Sequence, residues 1–205
     1  MISQVVSEVG HILLTVSVLA WLGRLLFRSN RGAVIGFAIG AVLSVLPMEY
    51  SPQFYTRSVL GDLSVLSWVF LVHLLSRSVY GVSLISQGQG RVISLIAVVG
   101  GLLIYPASLG APWPDFYRLG FDSAFLISAF AVAAFVFIFR GRFVVALWLL
   151  LALTGYGFCL LESLNFWDCL FDYPSFVVAS GILLRWCIAR SRRNRKSETE
   201  LKTES

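Results

Sequence analysis

Seven apolar runs divide the chain, and connections rich in charged residues, proline and glycine separate them. Their lengths lie near the roughly 20 residues that a helix needs to cross a hydrocarbon core. The runs predict helices at 5–27, 33–46, 59–75, 92–105, 121–139, 143–161 and 175–189. The pattern therefore predicts an all-α fold, a polytopic transmembrane bundle of about seven helices.

Composition is typical of a protein dissolved in lipid. Hydrophobic residues make up 58% of the 205 residues, charged residues make up 13%, and the mean hydropathy is +0.82. A soluble globule of this size would need more polar surface. We expect one membrane domain over 1–189, and a basic tail over 190–205 that is disordered or at most a frayed helix.

The second run, 33–46, is the weakest crossing because its fourteen residues span only about 21 Å as a helix. A re-entrant hairpin is the alternative, but it would reverse every later connection and place the remaining arginines outside. A ladder of small residues, Gly32, Gly36, Gly40 and Ser44, recurs here at four-residue spacing. Such a ladder lets another helix approach closely, and packing inside the bundle is favoured over a homodimer face.

The basic residues predict the orientation. Fourteen of the sixteen Lys and Arg residues fall on one side of the predicted membrane, and only Arg57 and Arg118 fall on the other. Because Lys and Arg near helix ends stay in the cytoplasm, we expect the N-terminus outside and the C-terminus in the cytoplasm, in a bacterial inner membrane. Glu8 lies in the first turn of the first run and no basic residue precedes the run, which indicates a first helix that is retained.

The acidic residues are an independent observation, since they contribute little to topology. Eight of the eleven fall outside: Glu8 lies near the N-terminus, and the other seven lie in three connections that also carry Trp or Tyr. The candidate ligand or docking surface comprises Glu49, Tyr55, Arg57, Asp62, Trp113, Asp115, Tyr117, Arg118, Asp122, Glu162, Asn165, Trp167, Asp168 and Asp172. Aromatic rings are expected at headgroup depth in any membrane protein. The carboxylates, in contrast, could bind a cation, a partner's basic patch or sugar hydroxyls.

The third outer connection has the most specific spacing. Glu162, Asn165, Asp168 and Asp172 recur at three, three and four residues, so a helix that continues 143–161 outward would carry them on one face. Asp168 and Asp172 would then repel each other unless a cation or an arginine lies between them. The alternatives are a solvated helix face, a ligand or ion site, and a catalytic pair.

No motif assigns a cofactor or a metal site. The two histidines, His11 and His73, fall at opposite ends of the bundle and are too few for a His-rich metal centre. The sequence contains no CxxC, GxSxG, HExxH or phosphate-binding glycine loop. We expect membrane lipids as partners, a periplasmic or membrane protein as a further partner, and no nucleic acid.

Three classes of function fit these observations. The favoured one is a non-enzymatic accessory or scaffolding subunit that uses the outer surface for a partner or for a lipid-linked or glycan substrate. The second is a small intramembrane enzyme that acts on a lipid headgroup with outer carboxylates as acids, bases or metal ligands. The third, a small transporter, is weakened because no carboxylate lies at mid-membrane. Convergence of Glu49, Asp62, Arg118, Asp168 and Asp172 on one pocket would favour a ligand site.

Overall fold

The chain folds into helices joined by short loops. The computed structural model describes residues 2–112, 114–121 and 124–203, and for 48, 107, 108 and 194–203 it describes the backbone alone. The α-helices of this part are α1 (Ile2–Phe27), α2 (Asn30–Ser44), α3 (Pro52–Leu60), α4 (Val65–Val79), α5 (Gln87–Ser108), α6 (Ala124–Phe139), α7 (Phe143–Gly157), α8 (Phe166–Leu170) and α9 (Tyr173–Thr203). Two 3₁₀ helices, Met48–Tyr50 and Phe116–Gly120, lie in the loops. The described residues contain no strand, and the all-α prediction is confirmed.

Each predicted run corresponds to one long helix, and the short helices α3 and α8 are additional. The run 59–75 is wrong in its first turn, because α3 ends at Leu60 and α4 begins only at Val65. Gly61 follows α3 with a φ of +66°, a conformation that glycine adopts without strain. The Ser64 hydroxyl then caps α4 by accepting the Ser67 N–H.

The glycine ladder packs α2 directly on α1. A Cβ added at Gly36 would lie 2.0 Å from the carbonyl oxygen of Leu19, and one added at Gly40 would lie 2.9 Å from the Cα of Val16. Gly32 meets the α1 backbone in the same way. The hydroxyl of Ser44 donates to the Gly40 carbonyl one turn earlier. The small residues therefore serve an interface within this chain.

A buried hydrophobic cluster lies between α4, α5, α6, α7, α8 and α9. Trp148 of α7 is fully buried there, together with Leu66, Ile93 and Phe166. The Trp148 indole N–H donates to the Leu170 carbonyl at 2.9 Å, which satisfies the one polar atom of the ring. This bond fixes α8 at one end of the bundle. We call this end of the bundle the acidic end, and it consists of the connections 45–64, 109–123 and 158–172.

Two helices of the described residues are long and apolar enough to cross a membrane by length and composition, Ile2–Phe27 and Gln87–Pro106. The helices α2, α4, α6 and α7 are apolar and have 15 or 16 residues each. The helix α9 continues through most of the predicted tail to Thr203.

Candidate functional site

The third connection of the acidic end does not continue α7 as a helix. The helix ends at Gly157, the chain turns at Cys159 with a φ of +49°, and the separate five-residue helix α8 follows. The predicted outward extension with its acidic residues on one face is therefore wrong. Asn165 contributes to the break because its side chain accepts the Trp167 N–H at 3.0 Å and caps α8.

Asp172 connects the starts of two helices. Its carboxylate accepts the Ser175 N–H at 2.8 Å in the first turn of α9, and the Asp172 N–H donates back to the Ser175 hydroxyl. At the start of α4 the same carboxylate accepts the Ser64 N–H and the Ser67 hydroxyl, both at 2.7 Å. The partial positive charge of a helix N-terminus favours an anion at both places. Asp172 is thus a structural cap that holds α4 to α9.

Asp168 binds the second connection to the third. Its Oδ2 atom accepts hydrogen bonds from the Tyr117 hydroxyl at 2.7 Å and from the Ser163 hydroxyl. The fully buried Asn165 donates from Nδ2 to the Tyr117 carbonyl at 3.0 Å. Neutral hydroxyl and amide groups, rather than an arginine, are therefore the partners of Asp168 and Asp172 among the described residues.

Gly120 allows the second connection to lie directly on the third. A Cβ at this position would be 1.8 Å from Oδ1 of Asn165 and 2.6 Å from Cδ1 of Trp167. The Trp167 indole N–H donates to the Phe116 carbonyl at 3.0 Å. Close backbone approach and these hydrogen bonds together fix the 3₁₀ helix Phe116–Gly120 against α8.

Asp62 and Arg57 link the first connection to the third. The Oδ2 atom of Asp62 accepts the Glu162 N–H at 2.8 Å, and Arg57 forms an ion pair with the Glu162 carboxylate. The Oδ1 atom of Asp62 is buried and has no hydrogen-bond partner among the described residues. Because Glu162 is exposed, the ion pair itself contributes little to stability.

These contacts surround a pocket of about 340 Å³, which we call the acidic pocket. Its polar lining consists of Asp62, Glu162, Asp168, Asp172, Tyr105, Tyr173 and Ser163. Three of the residues expected to converge, Asp62, Asp168 and Asp172, therefore meet in one place. The other two, Glu49 and Arg118, are exposed elsewhere at the acidic end.

The remaining candidate residues have local roles or lie outside the description. The Tyr55 hydroxyl donates to the Glu49 carbonyl at 2.8 Å, within the first connection. The Asp115 carboxylate accepts the Arg118 N–H at 3.3 Å and caps the second 3₁₀ helix. Trp113 and Asp122 lie outside the described residues.

Two groups at the acidic end stay protonated at neutral pH. Burial, together with the hydrogen bond to Asp168 and the charge of that residue, raises the pKa of the Tyr117 phenol to about 12. Burial, followed by the charge of Asp168, raises the pKa of the Cys169 thiol to about 12. Tyr117 therefore acts as a hydrogen-bond donor to Asp168, and Cys169 is an unreactive buried thiol.

The sequence reasoning missed the residues that hold these acids. Ser64, Ser67 and Ser175 supply all the donors to Asp172 described above. One signal was present, since Asp172 followed by Pro174 and Ser175 resembles a helix start with a capping residue and an early proline. The links between connections carry no such local signal.

His11 was also missed as a link between helices. Its Nε2 lies 2.9 Å from the carbonyl oxygen of Gly61, so this nitrogen donates. The Nδ1 atom lies 3.0 Å from the Thr56 hydroxyl, which can donate to it. The buried ring therefore connects α1 to α3.

In the part of the chain that the structure describes, no three His, Cys, Asp or Glu side chains are placed to hold a metal ion. Comparison of the chain with protein-family models, curated proteins and solved structures found no match. The geometry of the acidic end is accordingly the basis for the functional proposal.

Proposed function

We propose that this chain is a non-enzymatic accessory or scaffolding subunit of a bacterial inner membrane, a seven-crossing bundle whose acidic pocket docks a basic group of a partner protein. The N-terminus and the acidic end are outside, and the C-terminus is in the cytoplasm. The observation that carries the docking role is the convergence of four carboxylates on one pocket, where Arg57 forms an ion pair with one of them.

The surface of α6 supports a lipid environment. Ser128 is the one polar residue of this helix, and the exposed side chains include Phe125 at 84% and Phe139 at 88%. A helix that is apolar on all sides is stable in a protein core or in lipid. Because α6 packs mainly against α7, the protein covers only part of its surface. Lipid covers its remaining faces in this proposal.

The opposite end of the bundle supports the orientation. Arg91 and Arg190 lie over the Trp186 ring, 5.6 and 5.4 Å from its centroid. Arg24 donates to the Ser78 carbonyl at 3.0 Å, near the end of α4. Arginines around an interfacial tryptophan are typical of the cytoplasmic side of a membrane protein.

Cysteine labelling tests the topology. Burial keeps Cys169 unreactive, so replacing Cys159 and Cys187 by serine gives a silent background. A membrane-impermeant maleimide should label Asp115→Cys from outside intact cells, and Ser83→Cys, between α4 and α5, only after permeabilisation. Labelling of position 115 solely from the cytoplasmic side would overturn the orientation.

The charge of the acidic pocket supports docking of a cation. The partners of Asp62, Asp168 and Asp172 are hydroxyl and backbone N–H groups, which leave the formal charge of the carboxylates in place. A concave site lined by one sign of charge concentrates ligands of the opposite sign. The Tyr105 and Tyr173 rings, 6.3 Å apart and edge to face, add surfaces for a lysine or arginine side chain.

The hydrogen bonds between the connections support a binding site of fixed shape. All three connections are joined through residues 162–172, so little ordering remains to be done when a partner binds. A rigid negative pocket fits a basic side chain presented by a periplasmic segment of the partner.

A defined peptide tests the docking site. Fluorescent trilysine should bind the protein in nanodiscs of zwitterionic lipid, and added salt should weaken this binding. Removing one charge-assisted contact by Asp62→Asn should weaken binding about tenfold. Glu49→Gln is the matched control, since it removes an outer carboxylate that is not part of the pocket. Equal affinities of the two variants would contradict the proposal.

Photo-cross-linking tests for the partner itself. A benzoylphenylalanine at Tyr173, which is exposed at the pocket, should capture one stoichiometric protein in native membranes. The same group at Tyr55, exposed outside the pocket, is the control. Capture of lipid alone at Tyr173 would count against an accessory role.

Catalysis on a lipid headgroup is a second candidate, favoured by the buried and unpartnered Oδ1 atom of Asp62 among the described residues. A buried carboxylate oxygen beside a pocket is a candidate for a general base. Catalysis would make Asp62→Asn far more damaging than Glu162→Gln to headgroup turnover by the reconstituted protein. Docking instead makes the two variants similar in their effect on trilysine binding.

A further inference from the structure

A second cavity, of about 520 Å³, lies between the outer ends of α1, α2 and α3. We call it the lateral cavity. Arg57 lines it, whereas Glu162, the ion-pair partner of Arg57, lines the acidic pocket. Its volume falls within the roughly 300–1,000 Å³ of sites that bind small molecules. The cavity is therefore large enough for a polar headgroup.

Neutral groups hold the lateral cavity in shape. Gln53 donates from Nε2 to the Ser44 carbonyl at 3.0 Å, and its Oε1 accepts the Ser51 hydroxyl. Gln53 and Ser51 are buried, and so is His11, which links α1 to α3 at the same place. Because these groups bond with the protein itself, the charged residues of the lining are the ones available to a ligand.

The charged residues of the lining are one anion and one cation. Glu8 comes from α1 and is exposed, and Arg57 comes from α3. Only Nη2 of Arg57 contacts Glu162, so other N–H groups of the guanidinium remain available to a phosphate oxygen. A carboxylate and a guanidinium in the lining of one cavity match a ligand that carries both an ammonium and a phosphate.

The apolar part of the lining indicates that this ligand is a lipid. Ile12, Leu46 and Phe54 complete the wall, a surface that a free headgroup would leave uncovered. Val42 and Val45 are exposed by 62% and 82% at the same end of α2. Acyl chains can follow this apolar surface away from the cavity, along the outside of the bundle.

We infer that the lateral cavity binds the headgroup of a zwitterionic phospholipid with a primary amine, its phosphate on Arg57 and its ammonium on Glu8. The inference rests on the outer-leaflet position proposed above for this end of the bundle. A primary ammonium can donate hydrogen bonds to a carboxylate, which a quaternary ammonium cannot. An anionic headgroup would meet Glu8 unfavourably.

Native mass spectrometry of the delipidated protein in detergent tests this inference. Phosphatidylethanolamine, phosphatidylcholine and phosphatidylglycerol with the same acyl chains are added at equal concentration. The parent protein should retain about threefold more phosphatidylethanolamine than either other lipid, the difference expected for one ion pair at an exposed carboxylate. Equal retention of the three lipids would overturn the inference.

Paired variants assign the contacts. Arg57→Gln should weaken all three phospholipids, whereas Glu8→Gln should remove only the preference for phosphatidylethanolamine. Glu162→Gln breaks the same ion pair but keeps Arg57, so it should retain the lipid at least as well as the parent protein. Glu8 is exposed, and its variant keeps the test decisive even when Arg57→Gln fails to fold.

Further controls separate this inference from a general charge effect and from the topology. Glu49→Gln and Arg118→Gln remove the same charges outside the cavity and should bind lipid like the parent protein. If Glu8→Gln and Arg57→Gln retain lipid as well as these controls do, the proposed site is refuted. If the protein retains glycerophosphoethanolamine, which has no acyl chain, as well as it retains phosphatidylethanolamine, the conclusion that the ligand is a lipid is refuted. Labelling at position 115 decides the topology independently of these results.

Discussion

Replacing Asp172 by alanine should destabilise the protein by about 3 kcal/mol. Hydrogen bonds to a charged group contribute about 1.5–3 kcal/mol each, and the carboxylate accepts one from each of Ser64, Ser67 and Ser175. Their sum is not the expected loss, because the bonds share one acceptor group and Asp172 is partly exposed. Asp172→Asn keeps one acceptor oxygen but turns an NH₂ group toward a donor, so we expect an intermediate loss.

A thiol-reactive fluorophore measures this effect during heating. Cys169 is 1% exposed and becomes accessible on unfolding, in a background without Cys159 and Cys187. For a chain of this size about 3 kcal/mol corresponds to a fall of about 6–12 °C in the melting temperature. Glu49→Ala, a change at an exposed carboxylate, should leave the temperature nearly unchanged. If Asp172→Ala and Glu49→Ala have the same melting temperature, Asp172 does not hold α4 to α9.

Two further predictions concern helix packing and alkaline stability. Gly36→Ala places a Cβ 2.0 Å from the Leu19 carbonyl oxygen and should cost about 1–3 kcal/mol, whereas Gly181→Ala meets open space and should be neutral or stabilising by up to about 1 kcal/mol. Equal melting temperatures of these variants would contradict the close α1–α2 contact. The pKa of Tyr117 is raised from 10.0 to about 12, so its stabilising effect is present below pH 10 and is lost as the pH rises through 12. Tyr117→Phe should therefore melt lower at neutral pH and show a shallower decline above pH 10, and parallel curves would contradict the bond to Asp168.

The long helices could be predicted because apolar runs are a local property of the chain. The short helices were not found, since α3 has only nine residues and α8 only five. The outward extension of α7 was predicted from acidic spacing alone. That spacing assumed a continuous helix, and the turn at Cys159 and the cap by Asn165 end it.

The approach of Asp62, Asp168 and Asp172 to one another could be predicted in part, whereas the contacts that these acids make could not. The unbalanced carboxylates pointed to three connections that the sequence predicts on one side of a membrane, and at the third of these connections the acids Asp62, Asp168 and Asp172 meet. The donors to Asp172 include Ser67, which lies 105 residues away in the chain. No pattern within one segment shows that a carboxylate and a hydroxyl so far apart will pair.

The cap that Asp172 places on α4 also sets an order of assembly. Ser64 and Asp172 are 108 residues apart, and a chain is synthesised from its N-terminus. The first turn of α4 therefore lacks this partner until α9 has been made and has packed beside α5. Closure of the acidic end thus requires that α9 has been made, and a product that stops before α9 would leave these loops open to proteolysis.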